Sequence, residues 1–136
     1  MKRTLTLIAL VLAATVPAAA DLTPELQAKF IKIICSNAGS AGKVAVKDST
    51  MTAKLTDVGV SADAASKVAY AGSEAEVGGY KGKLVICPKL EWLPKGGSIA
   101  IVEEGGKPAI YLHMQNISGS GVTLSDAVLK IGKLAK

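Results

Sequence analysis

A single histidine, His113, is the only imidazole in the 136-residue chain, and that scarcity removes most acid–base and nucleophilic constellations. A nucleophilic triad needs a base beside its nucleophile, and no Gly-x-Ser-x-Gly elbow lies between a strand pattern and a helix pattern. His113 follows the apolar Ile110-Tyr111-Leu112, so it is expected to point away from Leu112 at a strand end, as a structural or solvent-facing residue. One histidine and two separated cysteines do not supply the converging ligands of a transition-metal site, and no cofactor or catalytic residue is expected. Aromatic residues are also few, with one Trp, one Phe and three Tyr. The lysines are scattered singly, so the net charge of +5 reads as a solvated surface, and nucleic-acid binding is not expected. Glu103-Glu104 and the Glu74/Glu76 pair read as solubilising turn charges. Gly78-Gly79-Tyr80-Lys81-Gly82 lacks the helix that follows a phosphate cradle.

The amino end is better defined. Lys2 and Arg3 precede an apolar run from Leu5 to Val16, and Pro17-Ala18-Ala19-Ala20 supplies small residues before Asp21. This is the pattern of a cleaved secretory signal peptide over residues 1–20, too short to span a bilayer comfortably. The product expected is an exported domain over residues 21–136, with no membrane insertion after cleavage. Cys35 and Cys87 then enter an oxidising compartment, where a disulfide between them is the leading expectation. Two buried unpaired thiols or a reactive thiol pair are the alternatives, and the absence of a Cys-x-x-Cys pattern ranks redox chemistry last.

Along the chain, Thr23-Pro24-Glu25 is a helix start. Leu26, Phe30, Ile33 and Ile34 recur at helical spacing, with Ile31 and Cys35 widening the apolar face. Lys43 to Val46 reads as a strand, Ser49 to Val58 as a helix stopped by Gly59, Lys67 to Tyr70 as a strand, and Glu74 to Gly79 as a helical turn. The continuous apolar run Leu84 to Cys87, ended by Pro88, suits a strand covered on both faces. Lys89 to Gly97 is irregular. Ile99 to Val102 and Ala109 to Leu112, joined through Glu104-Gly105-Gly106, form a hairpin. A last helix begins at Ser125-Asp126, with Val128, Leu129, Ile131, Leu134 and Ala135 expected inward. The fold class expected is a single small α/β domain, a mixed and mostly parallel sheet with a C-terminal antiparallel hairpin and flanking helices.

The stretch from Gly96 to Lys136 resembles the C-terminal half of the YfiR-like family of small periplasmic proteins. Gly96-Gly97, Ile99 to Val102, Lys107 to Leu112, Leu124-Ser125, Leu129 and Leu134-Ala135-Lys136 occupy the family's places, and Ala28 with Phe30-Ile31 resembles its opening helix. Two departures stand out: Ser36-Asn37-Ala38-Gly39 replaces an aromatic segment ending in Trp-Pro, and the region between Cys87 and Gly96 is short. The resemblance implies a periplasmic, non-enzymatic regulatory protein that binds a protein partner. That partner would be the periplasmic domain of an inner-membrane signalling protein such as a diguanylate cyclase. The partner edge expected is the second hairpin strand, with Lys107, Ile110, Tyr111 and His113, and an exposed edge also admits a homodimer. A small-ligand or solute-binding module is the alternative reading, because α/β sheets bind ligands at the carboxyl ends of their parallel strands. Those ends are Lys47-Asp48-Ser49, Ala71-Gly72-Ser73 and Cys87-Pro88. A thiol-redox protein is the second alternative.

Overall fold

The computed structural model describes residues 20–40 and 42–135. The predicted signal peptide, Ala20 apart, lies outside the described residues. The elements are β1 (Ala20–Asp21), α1 (Pro24–Asn37), β2 (Lys43–Val46), α2 (Ser49–Asp57), β3 (Ser61–Ala62), β4 (Val68–Tyr70) and α3 (Glu74–Gly79). Then follow β5 (Leu84–Cys87), a one-turn 3-10 helix (Leu90–Trp92), β6 (Ile99–Glu104), β7 (Lys107–Leu112), α4 (Met114–Gly119), α5 (Asp126–Ile131) and β8 (Lys133–Leu134). Among the described residues no helix is long and apolar enough to cross a membrane.

Local chemistry sets the helix starts. The Thr23 side chain accepts the Leu26 N–H ahead of Pro24 at the first helical position, the Asp48 carboxylate accepts the Met51 N–H, and the Ser73 hydroxyl accepts the Glu76 N–H. Each satisfies one donor that the first helical turn leaves without a partner.

The sheet runs in the order β3-β2-β4-β5-β6-β7-β8, with β1 also pairing β6. Strands β2 to β6 are mutually parallel, β6 and β7 form an antiparallel hairpin, and β8 rejoins β7 in parallel. The hairpin turn is Gly105-Gly106, with φ of 59° and 79° at the two residues, the left-handed pair that a two-residue turn between twisted strands requires. The expected α/β class, mostly parallel sheet, hairpin and flanking helices are all present.

Strand alternation divides the core in two. Val44, Val68, Tyr70, Leu84, Ile86, Ile99, Ile101, Ile110 and Leu112 point to one face, where they pack with Ile31 and Ile34 of α1, Leu55 of α2, Ile117 of α4 and Val128 of α5. Ala45, Ala69, Ala71, Val85, Cys87, Ala100, Val102 and Ala109 point to the other, against Val77 of α3, Tyr80 just past it and Leu93. Large aliphatic side chains meet the helix-rich face and small ones the other.

Two expectations about helices are corrected. The buried stripe of α1 is Gln27, Ala28, Ile31, Ile34 and Cys35, while Leu26 and Ile33 turn outward at 36% and 43% exposure. The last helix stops at Ile131, which is 53% exposed, and Leu134 is 69% exposed. Its apolar spacing continues past Gly132, but there the backbone becomes extended (φ −90°, ψ 153°) and the Ala135 N–H donates to the Leu112 carbonyl at 2.8 Å. A Cβ on Gly132 would lie 2.5 Å from Leu112 Cγ, so the chain draws this close to β7 only with glycine at that position.

The unequal faces make a paired prediction. Ile86→Ala, which empties a fully buried site on the helix-rich face, is expected to cost about 2–5 kcal/mol in urea unfolding. Ala69→Leu, which adds volume to the tightly covered face, is expected to cost about 1–3 kcal/mol.

Candidate functional site

The order of the parallel strands reverses at β2: the chain passes from β2 outward to β3, then returns to β4 on the other side of β2. Loops leaving β2 and β4 at their carboxyl ends therefore run to opposite sides and open a crevice between them. A cavity of about 280 Å³ lies there, with Asp48, Thr50 and Met51 from the β2–α2 segment and Tyr70 and Gly72 from the β4–α3 segment. Pro88, just past β5, closes it, and Leu22, Pro24 and Gln27 at the start of α1 form its remaining wall. The three strand ends singled out in the sequence thus meet at one place, each contributing a residue.

The cleft is held rigidly. Asp48 Oδ1 accepts the Met51 N–H at 2.9 Å, and the Asp48 carbonyl accepts the Thr52 hydroxyl at 2.7 Å. Gly72 lies so near that a Cβ on it would come within 2.8 Å of Asp48 Oδ2, and the Gly72 N–H donates to Glu76 Oε1 at 2.9 Å. Glycine at 72 is therefore a matter of close approach. Beneath, two buried polar side chains join α1 to β4. The Tyr70 hydroxyl donates to Gln27 Oε1 at 2.9 Å, and Gln27 Nε2 donates to the Leu22 carbonyl at 2.6 Å. Gln27 and Tyr70 went unnoticed in the sequence. Gln27 carried a signal, a polar residue inside the apolar stretch of α1; Tyr70 sits in an apolar strand and carried none.

A larger trough of about 590 Å³ lies at the opposite, amino end of the sheet, where Ser40, Lys43, Asp63, Ser66 and Lys67 are among its lining residues. Several of its polar groups already satisfy one another. The Ser40 hydroxyl donates to the Lys43 carbonyl at 2.6 Å and lies 2.8 Å from the Ser66 hydroxyl, while Lys43 and Asp63 form an ion pair at 3.8 Å. Size favours the trough, but the polar groups and the strand reversal favour the smaller cleft.

The two thiols do not form the expected pair. Cys35 and Cys87 are both free and fully buried, and they belong to cores on opposite faces of the sheet. Helix α1 does pack against the sheet, as expected, but alternation along β5 turns Leu84 and Ile86 toward it and Cys87 away. Burial pushes the Cys35 thiol up to about 11 and the Cys87 thiol up to about 12, the latter lowered in part by a hydrogen bond with the Lys89 backbone and raised further by the nearby Glu91 charge. Both therefore stay protonated near neutral pH, and a reactive thiolate is not formed. Among the described residues no three His, Cys, Asp or Glu side chains converge to hold a metal ion.

The expected partner edge is partly covered. β8 pairs with Tyr111 and Leu112, leaving the Lys107 to Ile110 portion of β7 as open edge among the described residues. The cause is the early end of α5, which frees the last residues to extend. Lys107 is exposed, and Ile110 is buried in the helix-rich core. The Tyr111 hydroxyl donates to Glu104 Oε2, whose other oxygen accepts Lys133 Nζ at 3.1 Å. These two donors hold the Glu104 carboxyl below its ordinary range, the tyrosine hydroxyl being the larger influence. His113 caps α4, its Nδ1 accepting the Asn116 N–H at 3.2 Å. That structural role agrees with the sequence reading. After Pro88 the chain forms the 3-10 turn, and Lys89 Nζ lies 6.0 Å from the Trp92 ring centre.

No family model and no curated protein matches the chain. Among solved structures it is similar to a chain described as the ABC domain in complex with L-Trp from Streptococcus pneumonia, with a TM-score of 0.57 and 10% sequence identity. The alignment covers 82% of this chain and 62% of that one, so this chain spans less than two thirds of the neighbour's length. At this identity the likeness establishes a shared fold.

Two measurements check the site. Tyr70→Phe, which leaves Gln27 Oε1 without its donor in a buried setting, is expected to cost about 1–3 kcal/mol in urea unfolding. Thiol reagents at pH 8 are expected to label neither cysteine in the folded protein and both in denaturant. The raised Cys87 value fixes a sign as well: the unfolded thiol loses its proton first, so folding stability is intact below about pH 9 and falls between about 9 and 12. The slope from this group is at most about 1.4 kcal/mol per pH unit, and Cys87→Ala is expected to flatten it.

Proposed function

We propose that the protein is a non-enzymatic small-ligand-binding module whose ligand enters the cleft at the carboxyl ends of β2, β4 and β5. The observation that carries this reading is the convergence of three separate strand ends on one rigid cavity at the reversal of strand order. α/β sheets place their ligands at such a crevice. The fold shared with a domain solved in complex with L-Trp supports the same reading. The capping role of His113 and the protonated, buried thiols favour binding over chemistry, and the thiol-redox alternative has no exposed thiolate to work with.

The resemblance to the YfiR-like family supports a regulatory setting, in which an exported module of this kind would influence a membrane signalling partner. In that setting the open Lys107 to Ile110 edge of β7 is the part of the expected partner surface still accessible to another strand.

A broad screen of small metabolites by amide-resonance perturbation is expected to find ligands whose shifts centre on Asp48, Thr50 and Gly72. At a hundredfold excess over its Kd such a ligand is expected to stabilise the fold by about 2.7 kcal/mol. A screen that perturbs only the amino-end trough, or nothing, counts against the proposal.

A further inference from the structure

We propose that this cleft selects a small organic amine, its ammonium group against the Asp48 carboxylate and its apolar body on Leu22, Pro24, Met51 and Pro88. The inference rests on the small-ligand reading above and adds the ligand's charge and shape to it. The chain as a whole carries a net charge of +5, yet among the described residues Asp48 is the one charged side chain lining the cleft, with no lysine or arginine there. Its carboxylate is oriented in advance. Oδ1 is held by the Met51 N–H, and Oδ2, directed across Gly72, has no hydrogen-bond donor among the described residues. A free oxygen on a fixed carboxylate suits a donor with positive charge.

The surrounding charges favour the same sign. Lys47 is drawn away to the Tyr80 ring, 5.6 Å from its centre, and Lys54 pairs with Glu25 at 3.7 Å. On the far side of Gly72 the Glu76 carboxylate accepts the glycine N–H, placing a second negative group behind the cleft. The amino end of α2 would by itself attract an anion, but the Asp48 side chain already occupies that position, and an anionic ligand would meet its charge. The cavity's volume, about 280 Å³, admits a single-ring or short aliphatic body. Its proline, leucine and methionine walls favour an apolar one.

A matched series tests this on the full chain: benzylamine, benzyl alcohol and benzoate, which share one ring and differ in charge, followed by titration calorimetry and amide resonances. Benzylamine is expected to shift the Asp48, Thr50 and Gly72 amides and to bind at least tenfold more tightly than the other two. Asp48→Asn keeps an oxygen to cap α2, so its thermal unfolding is expected to stay close to that of the parent. Its affinity for benzylamine is expected to fall about tenfold or more. Gly72→Ala, which places a methyl group beside Oδ2, is expected to weaken the amine in the same way. Benzyl alcohol or benzoate binding as tightly at the same amides overturns the amine class and leaves a small-ligand module standing. So does a folded Asp48→Asn protein that binds benzylamine unchanged. If none of the three perturbs these amides the amine proposal fails, and the broader metabolite screen decides the module separately.

Discussion

A parallel sheet carries apolar side chains on both faces, and both must be covered. Most of this architecture follows from how unequally the chain meets that demand. Helices α1, α2, α4 and α5 contribute to the core on one face; on the other, the contributing segments are the six-residue α3 and the stretch around Leu90 to Leu93. Small side chains on the second face let those short covers approach the backbone closely. Gly97 shows how close: a Cβ there would stand 3.0 Å from both Cys87 Sγ and the Trp92 carbonyl. The alanine strands and this glycine are thus parts of one packing solution.

The same sheet generates the cleft without dedicated machinery. Once β2 stands between β3 and β4, the segments that follow β2 and β4 must part company at their carboxyl ends. The residues best placed there do two jobs, since Asp48 starts a helix and lines the opening, while Tyr70 fills the core and ties the sheet to α1. Polar groups that serve the fold in this way are fixed before any ligand arrives, which limits the ordering that binding must impose.

Much of this was legible in the sequence, for physical reasons. Period-two apolar runs and glycine turns located the strands and hairpin, and capping residues located the helices, because those signals are local. The strand ends that meet at the cleft could be named from the parallel order alone. What escaped depended on contacts between distant segments. The face on which Cys87 lies is set by register and alternation, so its distance from Cys35 could not be read from either cysteine's neighbourhood. The inward face of α1 includes Gln27 because Tyr70 waits opposite it, a pairing forty-three residues apart. Ile131 and Leu134 repeat at helical spacing, yet the close contact of Gly132 with Leu112 decides where α5 ends. Both sequence errors in helical phase came from treating apolar spacing as sufficient when a tertiary contact had the larger say.

Trp92, the only tryptophan in the chain, lies in the short turn that begins just after Pro88, the residue closing one end of the cleft. Its indole is half-buried, with a lysine ammonium over its ring, so its excited state senses both local polarity and a nearby charge. The protein thereby carries its own single-source fluorophore, four residues from the wall of the opening. Displacement of that wall would register in emission wavelength and in quenching by solutes without any label being attached.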